Sequence, residues 1–268
     1  MSDSQGFQSH WEHGVITCRS NRADGQPVLF LHGVNGGAAS WAHQAAGLSS
    51  EYRIIAWDAP GYGGSSPVEG RLDHFVDAVA ALIRAQQWAP VAIVGHSFGG
   101  LIAIQLAAEF PELVKGLFLS CTHLGNSNAS TVIQRKVKRL QEMQQMGLNE
   151  YGLARAKAML PAAQQENSAI VDCLAAIASE TRSEGVSSAL EAIAYSSLDS
   201  SAQKLSLPIT IVWTGMDPVV SRDKTDALCR ALLTAETYCI ENCGHAPYLE
   251  APDTYNTLLE SWLGKLVN

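Results

Sequence analysis

The chain has 268 residues, 47% of them hydrophobic and 16% charged, which excludes a disordered chain and lets it bury roughly 70 to 75% of its unfolded surface. Eighteen Lys and Arg stand against 26 Asp and Glu, a formal net charge of −8 that argues against a nucleic-acid partner. The opening MSDSQGFQSH lacks the apolar core of a signal peptide and no run of about 18 apolar residues follows, so the expected location is the cytoplasm, with no membrane partner.

In chain order, Phe7 to Glu12 and Val15 to Arg19 flank His13-Gly14 and predict a hairpin at a sheet edge. Pro27 to Leu31 is a continuous apolar run ended by His32-Gly33, as expected of a strand buried on both faces. Arg53 to Trp57 is the next strand. After a Pro- and Gly-rich turn, Leu72, Phe75, Val76, Val79, Leu82 and Ile83 recur at helical spacing. Val91 to Gly95 is a strand and Phe98 to Phe110 a helix that Pro111 stops, and Gly116 to Cys121 is the strand after it.

From 124 to 204 the rhythm changes to helix patterns without a good strand, rich in Gln, Glu, Ala and Met. This stretch reads as a helical cap inserted into one domain whose core is 1–123 and 205–268. Met143, Met146 and Met159 lie in it, and flexible thioethers suit a surface that adapts to apolar ligands. The basic run Arg135, Lys136, Lys138, Arg139 reads as a solvated helix face. Alternation resumes with a strand at Pro208 to Trp213, a helix from Arg222 to Leu233, a strand at Thr237 to Glu241 and a helix from Pro252 to Leu266. Strands alternating with helices predict an α/β fold with a mostly parallel sheet.

Cysteines 18, 121, 173, 229, 239 and 243 form no C-x-x-C pair, which suits a reducing compartment. Cys239 and Cys243 lie close to His245, but no fourth ligand stands at sensible spacing, so no metal is expected.

The strongest chemical signal is Gly95-His96-Ser97-Phe98-Gly99, a G-x-S-x-G set between a strand and a helix. Such a turn projects the serine hydroxyl above the sheet, beside the amides of a helix N-terminus. A serine hydroxyl needs a base, and the base an orienting acid. His245 follows the last predicted strand and Asp217 follows the one before it, the order Ser, Asp, His. Asp199, at the cap exit, and Asp223, within a helix, are weaker candidates for the acid. The amides of Val34, after His32-Gly33, and of Phe98 are the expected oxyanion donors. His32 and His96 read as structural hydrogen-bonding residues, since one base suffices.

These places, with Asp58-Ala59-Pro60-Gly61-Tyr62-Gly63-Gly64-Ser65, identify the chain as resembling the α/β-hydrolase superfamily over nearly its whole length. The resemblance implies Ser97, Asp217 and His245 as catalytic residues, Val34 and Phe98 as the oxyanion hole, a mobile cap, a small-molecule substrate and no cofactor. Within the superfamily the chain is similar to small bacterial esterases, enol-lactone hydrolases and carbon–carbon bond hydrolases of ring-fission products. The last group usually has Asn where His96 stands, so the leading expectation is a small, apolar ester or lactone, with carbon–carbon bond hydrolysis of ring-fission products (vinylogous 1,5-diketones) as the alternative. The expected substrate-binding residues are Met143, Met146, Met159 and Arg182. A cofactor-free dioxygenase or a ligand-binding receptor of the same fold are minor alternatives, and a homo-oligomer is left open.

Overall fold

The computed structural model describes residues 9–13, 16–22, 24–125 and 128–267. Its strands are β1 (Ser9–His13), β2 (Ile16–Ser20), β3 (Gln26–Leu31), β4 (Tyr52–Trp57), β5 (Val91–His96), β6 (Val114–Ser120), β7 (Ile209–Thr214) and β8 (Glu236–Ile240). Its α-helices are α1 (Ala42–Gly47), α2 (Leu72–Ala85), α3 (Phe98–Glu109), α4 (Ala129–Met146), α5 (Leu148–Met159), α6 (Ser168–Ser179), α7 (Ser183–Tyr195), α8 (Asp199–Ala202), α9 (Arg222–Ala231), α10 (Pro247–Glu250) and α11 (Pro252–Leu266).

One sheet carries all eight strands in the order β1-β2-β4-β3-β5-β6-β7-β8. β1 and β2 form the antiparallel edge hairpin, β2 meets β4 antiparallel, and every other pair is parallel. Of the expected hairpin, Phe7, Gln8, Gly14 and Val15 lie outside the described residues.

The continuous apolar runs follow from burial on both faces. Val28 and Phe30 of β3 pack with Ile54, Val94, Phe118, Trp41, Tyr255 and Trp262 in one layer. Leu29 and Leu31 pack with Ile55, Trp57, Ile93, Phe75 and Leu101 in the other. Each such side chain contributes about 1.5–3 kcal/mol on burial. β6 starts two residues earlier than expected because a 3-10 turn at Pro111–Leu113 already delivers Val114 to the sheet, and it ends where Cys121 turns to φ +46°. α9 stops at Ala231, short of the expected end at Leu233, whose side chain is exposed.

The chain leaves β3 to one side for β4 and returns to its other side for β5. The crevice beyond the C-terminal ends of β3 and β5 is therefore a topological switch point, where open α/β sheets bind ligands. Leu31 delivers His32-Gly33-Val34 to that crevice, and His96 delivers Ser97.

Between β6 and β7 the chain forms α4 to α8. The two ends of this helical segment are tied together, since Leu198 N–H donates to Leu124 O at 2.8 Å and Gly125 pairs with Ser197 in an isolated bridge. Asn128 caps α4 through its side chain, which accepts from Thr131 N–H. Val132 and Met143 of α4, Tyr151 of α5, and Val186 and Leu190 of α7 form a small core of their own. The segment rests on the sheet domain through two glycines: a Cβ on Gly61, at φ +85°, would fall 2.7 Å from Gly185 Cα, and one on Gly185 would fall 2.6 Å from Gly61 O. Among the described residues no helix is long and apolar enough to cross a membrane.

Candidate active site

Ser97 occupies the turn between β5 and α3 at φ 51°, ψ −114°, a left-handed conformation that side chains rarely adopt. Its backbone is held on both sides. Ser97 N–H donates to Ser120 O at 2.9 Å, and Ser97 O accepts from Gly100 N–H at 3.0 Å and Thr122 Oγ1 at 2.6 Å. The flanking glycines are required by close approach, since a Cβ on Gly95 would sit 2.7 Å from Gly99 O and one on Gly99 would strike the backbone of Leu31.

Ser97 Oγ lies 3.1 Å from His245 Nε2. His245 Nδ1 faces both carboxylate oxygens of Asp217 at 2.9 and 3.1 Å. Nδ1 therefore carries the proton, Nε2 accepts from the serine hydroxyl, and the array can take that proton as the hydroxyl attacks a carbonyl. Asp217 Oδ1 also accepts the amides of Val219 at 2.7 Å and Val220 at 2.9 Å. Burial alone would raise this carboxyl, but His245 and those amides outweigh it and hold the pKa below the usual range. Asp199 opens α8 and Asp223 lies exposed in α9, so neither takes the place of Asp217.

The His245 loop is clamped as well. Glu250 accepts the amides on either side of the histidine, Gly244 N–H at 2.7 Å and Ala246 N–H at 2.9 Å. His245 N–H donates to Met159 O at 2.8 Å, so the end of α5 touches the loop directly.

The loop bearing Val34 passes hard against the serine: a Cβ on Gly33 would come within 3.1 Å of Ser97 Cβ. His32 fixes this loop. Its Nε2 accepts from Ala59 N–H at 3.0 Å, so Nδ1 is the protonated nitrogen and donates to Gly33 O at 2.8 Å. Tyr62 Oη donates to Val34 O at 2.9 Å. Phe98 opens α3, where first-turn N–H groups lack intrahelical acceptors. His96 packs against the His245 ring with centroids 4.8 Å apart, and burial, with His245 beside it, pushes its pKa well down.

A model of the alpha/beta hydrolase fold matches residues 26–252. The chain belongs to the alpha/beta hydrolase family. It is 26% identical over 243 residues to 3-oxoadipate enol-lactonase 2 of Acinetobacter baylyi, covering 90% of this chain and 89% of that one. It is 27% identical over 251 residues to the pimeloyl-[acyl-carrier protein] methyl ester esterase of Shewanella woodyi, covering 90% and 95%. The crystal structure of the enol-lactonase from Burkholderia xenovorans LB400 superposes with a TM-score of 0.83 at 18% identity, over 96% of this chain and all of that one, a likeness of fold. With the fold and these hydrolase relatives together, this alpha/beta hydrolase is an enzyme.

The cleft above Ser97, about 80 Å³, is lined by the serine, His245, the loop from Gly33 to Gly36, Met159 and residues of α4, α7 and α9. Of the expected substrate-binding residues, only Met159 lines it. Met143 is buried in the small core of the helical segment, and Met146 is 39% exposed. Arg182 reaches the core domain instead, donating to Gly63 O at 3.2 Å and Ser65 O at 3.1 Å. These three are corrections: the first two side chains point into helix packing or solvent, and the guanidinium is committed to carbonyls that a helix start brings beside it.

The residues missed are His123, Arg135, Arg139 and Lys224, all on the cleft. The basic run divides by helix face. Lys136 pairs with Glu191 at 2.8 Å and Lys138 lies 3.8 Å from Glu142, whereas Arg135 and Arg139 line the cleft. A signal was available: Arg139 stands seven residues after Val132 and four before Met143, both buried, and so falls on the inward stripe of α4.

Cys121, Asp217 and His245 bring possible ligand atoms within 4.8 Å of one another. These donors do not fit a metal. The Asp217 oxygens and His245 Nδ1 are spent on each other, and burial drives the Cys121 thiol far above its usual range, against the thiolate a metal needs. Cys239 and Cys243 are free thiols, both pushed up by burial, Cys239 to about 11.

Proposed function

We propose that this enzyme is a serine hydrolase that cleaves a small carboxylic ester or lactone through an acyl-enzyme. The observation that carries the reading is the Ser97–His245–Asp217 chain, 3.1 Å and then 2.9 Å, set on a strained strand-to-helix turn. His245 Nε2 takes the hydroxyl proton as Ser97 Oγ attacks the carbonyl carbon. The amides of Val34 and Phe98 receive the oxyanion, and the imidazolium then returns its proton to the leaving oxygen. Water, deprotonated by the same nitrogen, attacks the acyl-enzyme and releases the acid with Ser97 restored. In a lactone the leaving alcohol and the acid belong to one product.

The helices between β6 and β7 serve in this reading as the cap expected for 124–204, and their contact through Met159 O with the His245 loop supports it. The small cleft supports a small substrate, and Val132, Leu190, Ile193 and Val220 give it an apolar wall. Six free cysteines support a reducing, cytoplasmic setting.

The test is intact-mass analysis after treatment with a fluorophosphonate, with Ser97→Ala as control. One adduct on the unmutated protein and none on the variant is expected, with ester turnover in the variant lowered at least about 10³-fold. Near-normal turnover of an ester by Ser97→Ala would sink the nucleophilic scheme.

A further inference from the structure

The cleft that holds Ser97 also holds a cluster of positive charge. Arg135 and Arg139, one helical turn apart on α4, line it together with Lys224 of α9 and His123, and among the described residues no Asp or Glu lines it. Among the described residues none of the three cations makes an ion pair, in contrast to Lys136, Lys138 and Arg155 beside them.

Arg139 is the most committed of them. Nη1 donates to the neutral Asn35 Oδ1 at 3.2 Å, and Nε is buried without a hydrogen-bond partner. Burial pushes its pKa down and the like charges of Arg155 and Arg135 push the same way, while the phenols of Tyr151 and Tyr62 act against them without supplying a carboxylate. Lys224 is lowered by burial and then by Arg135. His123 Nδ1 accepts from Gly125 N–H at 3.0 Å, so its proton sits on Nε2, and burial followed by Lys224 brings its pKa to about 4. Arg135 and Lys224 stay largely exposed, whereas Arg139 is held out of water without a carboxylate partner, a cost to the fold that an anion entering the cleft would reverse.

We propose that Arg135, Arg139 and Lys224 bind a carboxylate of the substrate, separate from the carbonyl attacked, so that the enzyme takes half-esters of short dicarboxylic acids, or lactones bearing a free acid, in preference to neutral ones. A guanidinium presents a planar fork that matches the two oxygens of a carboxylate. Asn35 links the site to the chemistry: it accepts from Arg139, its own Nδ2 faces Met159 Sδ at 3.8 Å, and it follows Val34 in the chain. The apolar wall then takes the methylene chain between the two ends of the substrate. The proposal rests on the hydrolase reading above, and it replaces a wholly apolar substrate with one that is apolar along its middle and charged at one end.

The test compares kcat/KM for the monomethyl esters of succinate to pimelate with their neutral carbamoyl counterparts, in unmutated protein, Arg139→Gln and Arg135→Gln. Taking the ratio within each protein cancels any general loss from misfolding. The unmutated enzyme is expected to favour at least one half-ester by about 10-fold or more, and each variant to bring that ratio toward one, mainly through KM. Calorimetric titration of Ser97→Ala with the free dicarboxylates reads the site without turnover, so binding that Arg139→Gln weakens about 10-fold would stand even if no ester were cleaved. A ratio near one across the whole series in unmutated enzyme, or dicarboxylate binding unchanged in both arginine variants, overturns the proposal.

Discussion

Asp217 illustrates how a side chain is kept in one protonation state by its neighbours. Two backbone amides and one imidazole N–H surround a carboxyl that is only 6% exposed. Asp217→Asn keeps the size but permits the other histidine tautomer, and a fall in kcat of about 10³- to 10⁴-fold is expected, well beyond what the accompanying small drop in urea midpoint from the lost carboxylate accounts for. Tyr62→Phe removes the hydroxyl that holds Val34 O, and if this loop receives the oxyanion as proposed, a loss of about 5-fold in kcat with KM little altered is the expected outcome. The serine, the histidine and the acid were legible because each stands at a strand end in a recognisable local pattern. The cleft arginines were not. Four bases in five residues look alike whether the helix face that carries them is wet or covered, and what covers α4 is α7, about fifty residues further on.

At the scale of elements, the strand-turn-helix unit around Ser97 tolerates no added atom. Gly99→Ala drives a methyl into the backbone of Leu31, so a loss of about 3 kcal/mol or more is expected by urea unfolding. Gly147, between α4 and α5, is the contrast: at φ +80° and ψ 164° with nothing within 4 Å of its Cβ position, Ala there should cost about 1–3 kcal/mol of backbone strain and no steric clash. The parallel strands could be read because burial on both faces leaves uninterrupted apolar runs. Helices in the segment between β6 and β7 could be read too, but their partners could not. α4 packs on α7 and α5 on α6, pairings that depend on loop geometry rather than on local periodicity.

For the molecule as a whole, acid should be the weak side of stability. His32, His96 and His123 are all lowered by burial from the ordinary value of 6.5, His123 to about 4. Below 6.5 the unfolded chain binds protons that the folded chain refuses, so their stabilisation is complete above 6.5 and declines on acidification, by up to about 1.4 kcal/mol per pH unit for each histidine. Asp217, lowered from 3.8, adds a loss that begins only near that value. Urea midpoints should therefore fall between pH 7 and pH 5, with a shallower slope in His123→Asn; a flat profile over that interval would contradict the assignment. The glycine pair between the sheet domain and the helical segment has a consequence of another kind. Because the methyl that either residue would gain meets the backbone of the other, no compensating change at the partner position can relieve it. Gly61 and Gly185 are thus locked independently, and chains that share this seating of helices on sheet should vary around the two positions without varying at them.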